Sequence, residues 1–104
     1  MTYTLALDVG TSTTKCVLFG EKLRIAAEAD ASYDTVIQQP SWAEQNAEDW
    51  WDAVCKVIRQ VLSDANVYPG DIKAVMVSGQ APSALIVDKN GTPMHSALIW
   101  MDRR

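Results

Sequence analysis

A chain of 104 residues with 48% hydrophobic and 21% charged side chains has globular composition, enough for one domain with a modest core and unlike a disordered tract. Nine basic against thirteen acidic residues leave a formal charge of −4, which disfavours a nucleic-acid phosphate backbone as a general partner. No apolar run approaches the roughly 18 residues of a membrane span, and Met1–Thr4 lacks the basic stretch that opens a secretory leader. A cytoplasmic protein without nucleic-acid or membrane partners is expected.

Thr4–Val9 alternates, with Leu5, Leu7 and Val9 on one side and Thr4, Ala6 and Asp8 on the other, the period of a strand. Gly10–Thr13 is a hydroxyl-rich tight turn. Lys15–Phe19 is a second strand with Cys16 and Leu18 on one face. After the short turn Gly20-Glu21-Lys22, a third, half-exposed strand runs from Leu23 to Ala31. Such short connections imply an antiparallel meander. Residues 34–45 are a loop containing Pro40 and Trp42. Asn46 then caps a helix, with Asp49 three residues later resembling a capping box. Trp51, Val54, Cys55, Ile58, Val61, Leu62 and Ala65 form its apolar stripe, and Asp52 can pair with Lys56 across one turn. By this reading Trp51 is core and Trp50 lies beside the stripe.

Asn66 supplies the left-handed residue that ends the helix, and Pro69-Gly70 stops it. Ile72–Ser78 is an apolar run of strand length, reached by a crossover onto the sheet. Ala84–Val87, the turn Asp88-Lys89-Asn90-Gly91, and the segment from Met94 form a hairpin. The ending Trp100–Arg104 has neither cap nor polar tail, and further sequence is expected after it. Cys16 and Cys55 are expected as free, apolar side chains. With no Cys-x-x-Cys pair and His95 alone, a metal cluster is not expected.

Chemistry concentrates in Asp8-Val9-Gly10-Thr11-Ser12-Thr13-Thr14-Lys15. A carboxylate ends one strand, a glycine turn aims backbone N–H groups at a common point, hydroxyls add donors, and a lysine adds a point charge. Asp8 suits a hydrated Mg²⁺, which prefers one or two carboxylates with water and phosphate oxygens. The same residues also make an ordinary polar hairpin turn. It is no Walker A loop, because a strand follows it.

This segment resembles the first phosphate motif of the FGGY carbohydrate kinases, within the sugar kinase, Hsp70 and actin superfamily. Pro40–Trp51 resembles that family's PGWxEQDPExWW segment. Val77-Ser78-Gly79-Gln80 resembles its strand ending in GQ, and Ala97–Arg104 its xILWxDxR segment. Four motifs in order span nearly the whole chain, in a pattern nearest to xylulose-kinase-like members.

The resemblance implies an α/β, ribonuclease-H-like fold. Residues 1–104 are then the N-terminal part of the first lobe, βββαβ plus a hairpin, with the second lobe absent. It implies ATP and Mg²⁺ as cofactors and a sugar or polyol as substrate. Asp8 is then the metal-associated carboxylate, acting through water. Gly10, Thr11, Ser12, Thr13 and Lys15 attend the nucleotide phosphates. Gln80, Trp100 and Asp102 lie on the sugar side, or else are a strand-end amide, a packing tryptophan and a capped turn. The catalytic base is implied beyond Arg104, so the chain alone is expected to be inactive and prone to self-association, and a homo-oligomer is allowed. Where the xylulose-kinase pattern places Met-His after Gly-Gln, this chain has Ala81-Pro82. That removes an imidazole and a backbone N–H and points away from D-xylulose itself. The alternatives are a non-catalytic nucleotide-binding or regulatory domain of the same superfamily, and a plain α/β interaction domain with an incidental turn.

Overall fold

Two alternating strands, β1 (Tyr3–Val9) and β2 (Thr13–Phe19), form an antiparallel hairpin in which Leu5 faces Leu18 and Leu7 faces Cys16. A computed structural model of the chain describes residues Met1–Arg104. β3 (Ile25–Ser32) pairs antiparallel with β2 and places Ala27, Ala29 and Ala31 beside Leu18, Cys16 and Thr14. Three alanines in a row leave room for a helix to lie close over this end of the sheet. That helix, α1 (Ala47–Ala65), crosses β2 and β3 and reaches β1 only marginally. The chain then returns as β5 (Ile72–Gly79), parallel to β1, to complete the order β3-β2-β1-β5. The expected βββαβ arrangement is therefore present.

The core lies between α1 and one face of the sheet: Leu5, Leu7, Cys16, Leu18 and Ala31 against Ala53, Val57 and Val61. The helix is turned relative to the expected stripe. Trp51 is 65% exposed, and Ala53 and Val57 take the inward positions. The stripe drawn through Trp51 and Cys55 runs along one border of a wide apolar arc, and the buried Ala53, Val57 and Val61 run along the other. Packing on an alanine-lined strand selects that smaller side.

The caps follow the sequence more closely. Asn46 Oδ1 accepts the Glu48 N–H at 3.0 Å, and Asn66, at φ 51° and ψ 50°, closes the C-terminus in the left-handed conformation. The reciprocal half of a capping box is missing, since an aspartate is one methylene shorter than the glutamate that makes it. Asp52 and Lys56 form no ion pair; both ion pairs in the chain belong to Arg104.

The second connection is longer than a simple turn. Gly20 N–H donates to the Arg24 carbonyl at 2.7 Å, and Lys22 and Leu23 both take φ of 58°. Leu23 is therefore 78% exposed, and β3 begins at Ile25, not at Leu23. Residues 34–45 are tied back on themselves by reciprocal bonds between Val36 and Glu44. They end in β4 (Glu44–Gln45), which pairs antiparallel with β6 (Ala97–Leu98) in a small second sheet. The Ala84–Met94 hairpin is present. Gly91, at φ 82°, follows a turn in which its N–H donates to the Asp88 carbonyl at 3.0 Å. That left-handed position is one glycine occupies without strain.

Candidate functional site

The tip of the β1–β2 hairpin and the end of β5 are held side by side. β5 pairs with β1 up to Val9, and the Gln80 N–H then donates to the Val9 carbonyl at 2.9 Å. Gln80 is thereby fixed next to Gly10 and Thr11. The turn is tight: Gly10 N–H donates to the Thr13 carbonyl at 2.9 Å, and a Cβ on Gly10 would come within 3.0 Å of that oxygen. A side chain at Gly10 would require that carbonyl to give by a few tenths of an ångström.

Tyr33, just past β3, braces the turn from inside. Its hydroxyl donates to the Gly10 carbonyl at 2.6 Å, and its N–H donates to the Ser12 carbonyl at 3.1 Å. With its one proton spent on Gly10, the Tyr33 oxygen receives the hydroxyl of the buried Thr14, 3.1 Å away. Burial is the main cause that pushes the Tyr33 phenol up, with the Asp8 charge adding to it. The phenol therefore stays protonated and keeps its donor role.

The expected site residues fall into two sets. Asp8, Ser12 and Lys15 are exposed. Asp8 and Lys15 are cross-strand partners on the sheet face away from α1, with Ser78 of β5 level with Asp8 and Asp30 of β3 level with Lys15. Thr13 closes the turn through its carbonyl. Thr11 points to the other set. Its hydroxyl donates to Gln80 Oε1 at 3.2 Å and accepts the Trp100 indole N–H at 2.8 Å. Thr11, Gln80 and Trp100 are therefore in direct contact, although 89 positions separate the ends of that set.

Asp102 is not bonded to this trio. Its carboxylate accepts the Ala43 N–H at 2.8 Å and is gripped by the Arg104 guanidinium at 2.7 Å. Those bonds, Arg104 foremost, hold its carboxyl down at about 2. Arg104 also reaches Glu44 Oε2 at 2.6 Å and lies 3.9 Å over the Trp42 ring. The result is a clasp that ties the last residues to Trp42–Glu44, two positions beyond Trp100.

Three contributors are not among the expected site residues. Gln45 Nε2 donates to the Thr11 carbonyl at 2.6 Å and to Thr35 Oγ1 at 2.9 Å, while its Oε1 accepts from Trp50 Nε1 and from Gln80 Nε2, each at 2.8 Å. Tyr33, Gln45 and Trp50 lie outside the phosphate-like segment, and only Gln45 and Trp50 lie in one of the four quoted motifs. For Tyr33 the sequence carried no signal. No group of three or more His, Cys, Asp or Glu side chains gathers anywhere in the chain.

The model of the FGGY family of carbohydrate kinases, N-terminal domain, matches residues 3–104. A glycerol kinase of Paracidovorax citrulli is 37% identical over the whole chain, which covers 21% of that relative's length. Among solved structures, gluconate kinase from Lactobacillus acidophilus superposes with a TM-score of 0.88 at 25% identity, over 97% of this chain and 20% of that one. Xylulose kinase from Rhodospirillum rubrum superposes with the same TM-score of 0.88 at 24% identity, over 98% of this chain and 21% of that one. The fold is that of the sugar kinases of the actin and Hsp70 class. The chain spans about a fifth of the length of the curated relatives it matches.

Proposed function

We propose a function from one premise: the chain belongs to the FGGY family of carbohydrate kinases, its N-terminal domain matching residues 3–104. The full-length protein is a cytoplasmic enzyme that transfers the terminal phosphoryl group of ATP to a hydroxyl of a sugar or polyol. Residues 1–104 open its first lobe, and the catalytic base and second lobe belong to further sequence. The 104-residue chain alone is inactive in this reading. No helix is long and apolar enough to cross a bilayer.

One observation carries the proposal. Thr11 is bonded to Gln80 and Trp100, while its neighbour Ser12 and the nearby Asp8 and Lys15 stay exposed. In this reading a single hairpin offers the phosphate-binding groups, and its bonds to Gln80 and Trp100 tie it to the substrate-side groups. Phosphoryl transfer is mainly positioning and charge neutralisation, so joining the two sides rigidly is what the reaction requires. The Gly10–Thr13 turn and Lys15 hold the nucleotide phosphates. Asp8 is an exposed carboxylate with no acid cluster around it, which fits a hydrated Mg²⁺ shared with phosphate oxygens better than a protein cage. Neutralising phosphate charge is the chemistry that ion supplies when bound. Gln80 and Trp100 face the acceptor, and Asp102 holds the segment that carries Trp100.

Ala81-Pro82 shapes the substrate range. Both residues follow Gln80 and are exposed, and neither offers a side-chain donor. A site that reads polyol hydroxyls through paired hydrogen bonds discriminates mostly by those donors, so D-xylulose is not the preferred acceptor. The test is ATP-dependent phosphorylation by the intact protein over glycerol, D-xylulose, other pentuloses and hexuloses, gluconate and linear polyols. Saturable turnover on one of them other than D-xylulose is expected. Silence across the panel overturns the kinase reading, and D-xylulose far ahead of the rest overturns the substrate reading.

A further inference from the structure

Gln45 is 1% exposed and sits in the two-residue strand β4, immediately before the helix cap. Its amide has two donor and two acceptor positions. All four are used: Thr11 carbonyl, Thr35 hydroxyl, Trp50 indole and Gln80 amide. A buried amide completed this fully holds its partners in one geometry, because any shift leaves a buried polar group unpaired.

Two of these bonds, with one between Thr11 and Gln80, close a ring. Gln80 Nε2 donates to Gln45 Oε1, Thr11 donates its hydroxyl to Gln80 Oε1, and Gln45 Nε2 donates to the Thr11 carbonyl. The ring has one polarity. Gln80 must give its N–H to Gln45, so its oxygen must face Thr11, and a 180° turn of its amide would break the Gln45 bond and set two amide oxygens against each other. What remains free on Gln80 is one N–H and one lone pair, held in a fixed direction. Without Gln45, Gln80 keeps only the Thr11 contact and can turn about it.

We infer that Gln45 is a positioning residue for phosphoryl transfer: it locks the phosphate hairpin, at Thr11, to the acceptor side, at Gln80, so that the two move as one body. This rests on the kinase reading above. Gln45, buried and bonded to both, acts through Thr11 and Gln80. Trp100, which bonds to Thr11 and not to Gln45, reports the lock at a distance.

The experiment uses the intact protein with Gln45→Leu, Gln45→Glu and Gln45→Asn, and Val57→Ala as a core control remote from the site. Gln45→Leu removes all four bonds. Gln45→Glu keeps the acceptor for Trp50 and Gln80 but loses the donors to Thr11 and Thr35. Gln45→Asn keeps the amide one methylene short of reaching both sides, and it and the Glu variant stand in if the Leu variant does not fold. We expect kcat to fall about 10–100-fold in the Gln45 variants, as for a misplacement on the order of 1 Å. Val57→Ala should lose comparable thermal stability and keep its kcat. The Trp100 indole N–H resonance, assigned with Trp100→Phe, should move in every Gln45 variant and stay in place in Val57→Ala. A kcat that falls no further than in Val57→Ala, or an unmoved Trp100 resonance, overturns the inference. Failure of the kinase reading is distinguishable, since it shows as an inert wild type before any variant is made.

Discussion

Asp8 and Asp102 are both carboxylates beside segments that matter, and their surroundings give them different work. Asp8 is exposed at the end of β1 and makes no ion pair. Asp8→Asn in the intact protein should therefore leave thermal stability nearly unchanged while kcat falls about 10²–10³-fold, the usual loss when a positioned charge stabiliser is removed. Steady-state kinetics check this, and near-wild-type turnover would remove Asp8 from the reaction. Asp102 is held by Arg104 and the Ala43 N–H, and its carboxyl lies at about 2 against an ordinary 3.8. A carboxyl lowered in the folded state stabilises that state above its ordinary value, and the contribution fades as pH falls toward the lowered one. The clasp should thus be fully closed above pH 3.8 and open progressively toward pH 2. Because Arg104 rests on the Trp42 ring, Trp42 emission reports the opening. Asp102→Asn should remove this acid transition, and an unchanged acid profile in that variant would mean another group controls the clasp.

At the scale of elements, α1 separates what the sequence specifies locally from what packing decides. Its ends were readable because caps are local: Asn46 and Asn66 do the work their side chains and backbones allow without help from elsewhere. Its buried face was not, because Trp51, Ala53, Val54 and Val57 all lie within one wide apolar arc, and the alanines of β3 choose among them. Val57→Ala should cost about 1–3 kcal/mol of unfolding free energy, whereas Trp51→Ala, at an exposed position, should cost about 0.5 kcal/mol or less. Urea unfolding of the intact protein decides, and the reverse order would restore the expected stripe. The three long strands nearest the N-terminus were equally readable from their alternation. β4 and β6 were not, since two residues carry no period and their pairing joins positions 44–45 to 97–98. The site divides in the same way. The phosphate-like hairpin is a contiguous segment and stood out. The ring of Thr11, Gln45 and Gln80 exists only once α1 and β5 have brought three distant segments together, and residue spacing holds no record of that.

For the molecule as a whole, the sheet has open edges at β3 and β5, and α1 covers the β3 end and leaves β5 bare. β5 shares the register of β1, so Val75 and Val77 lie on the same face as Leu5 and Leu7. Those leucines are buried at 3% and 6% exposure, while Val75 and Val77 remain 56% and 66% exposed, because α1 sits over β2 and β3 and stops short of β5. Met76, on the opposite face, is 73% exposed, and the outer edge of β5 has no partner strand. An uncovered apolar strand with an open edge is a template for another chain. The 104-residue chain on its own should therefore sediment as dimers or larger species at micromolar concentration, joined at β5. Met76→Lys and Val77→Lys, introduced together, place charge on both faces of that strand and should return it to a monomer. The pair should leave the Thr11, Gln80 and Trp100 contacts intact, since none of them involves Met76 or Val77. A wild-type chain that sediments as a monomer would show that β5 is tolerated bare. A doubly substituted chain that still assembles would move the contact elsewhere, with the exposed hairpin residues Ile86 and Met94, each 67% exposed, as the next surface to charge.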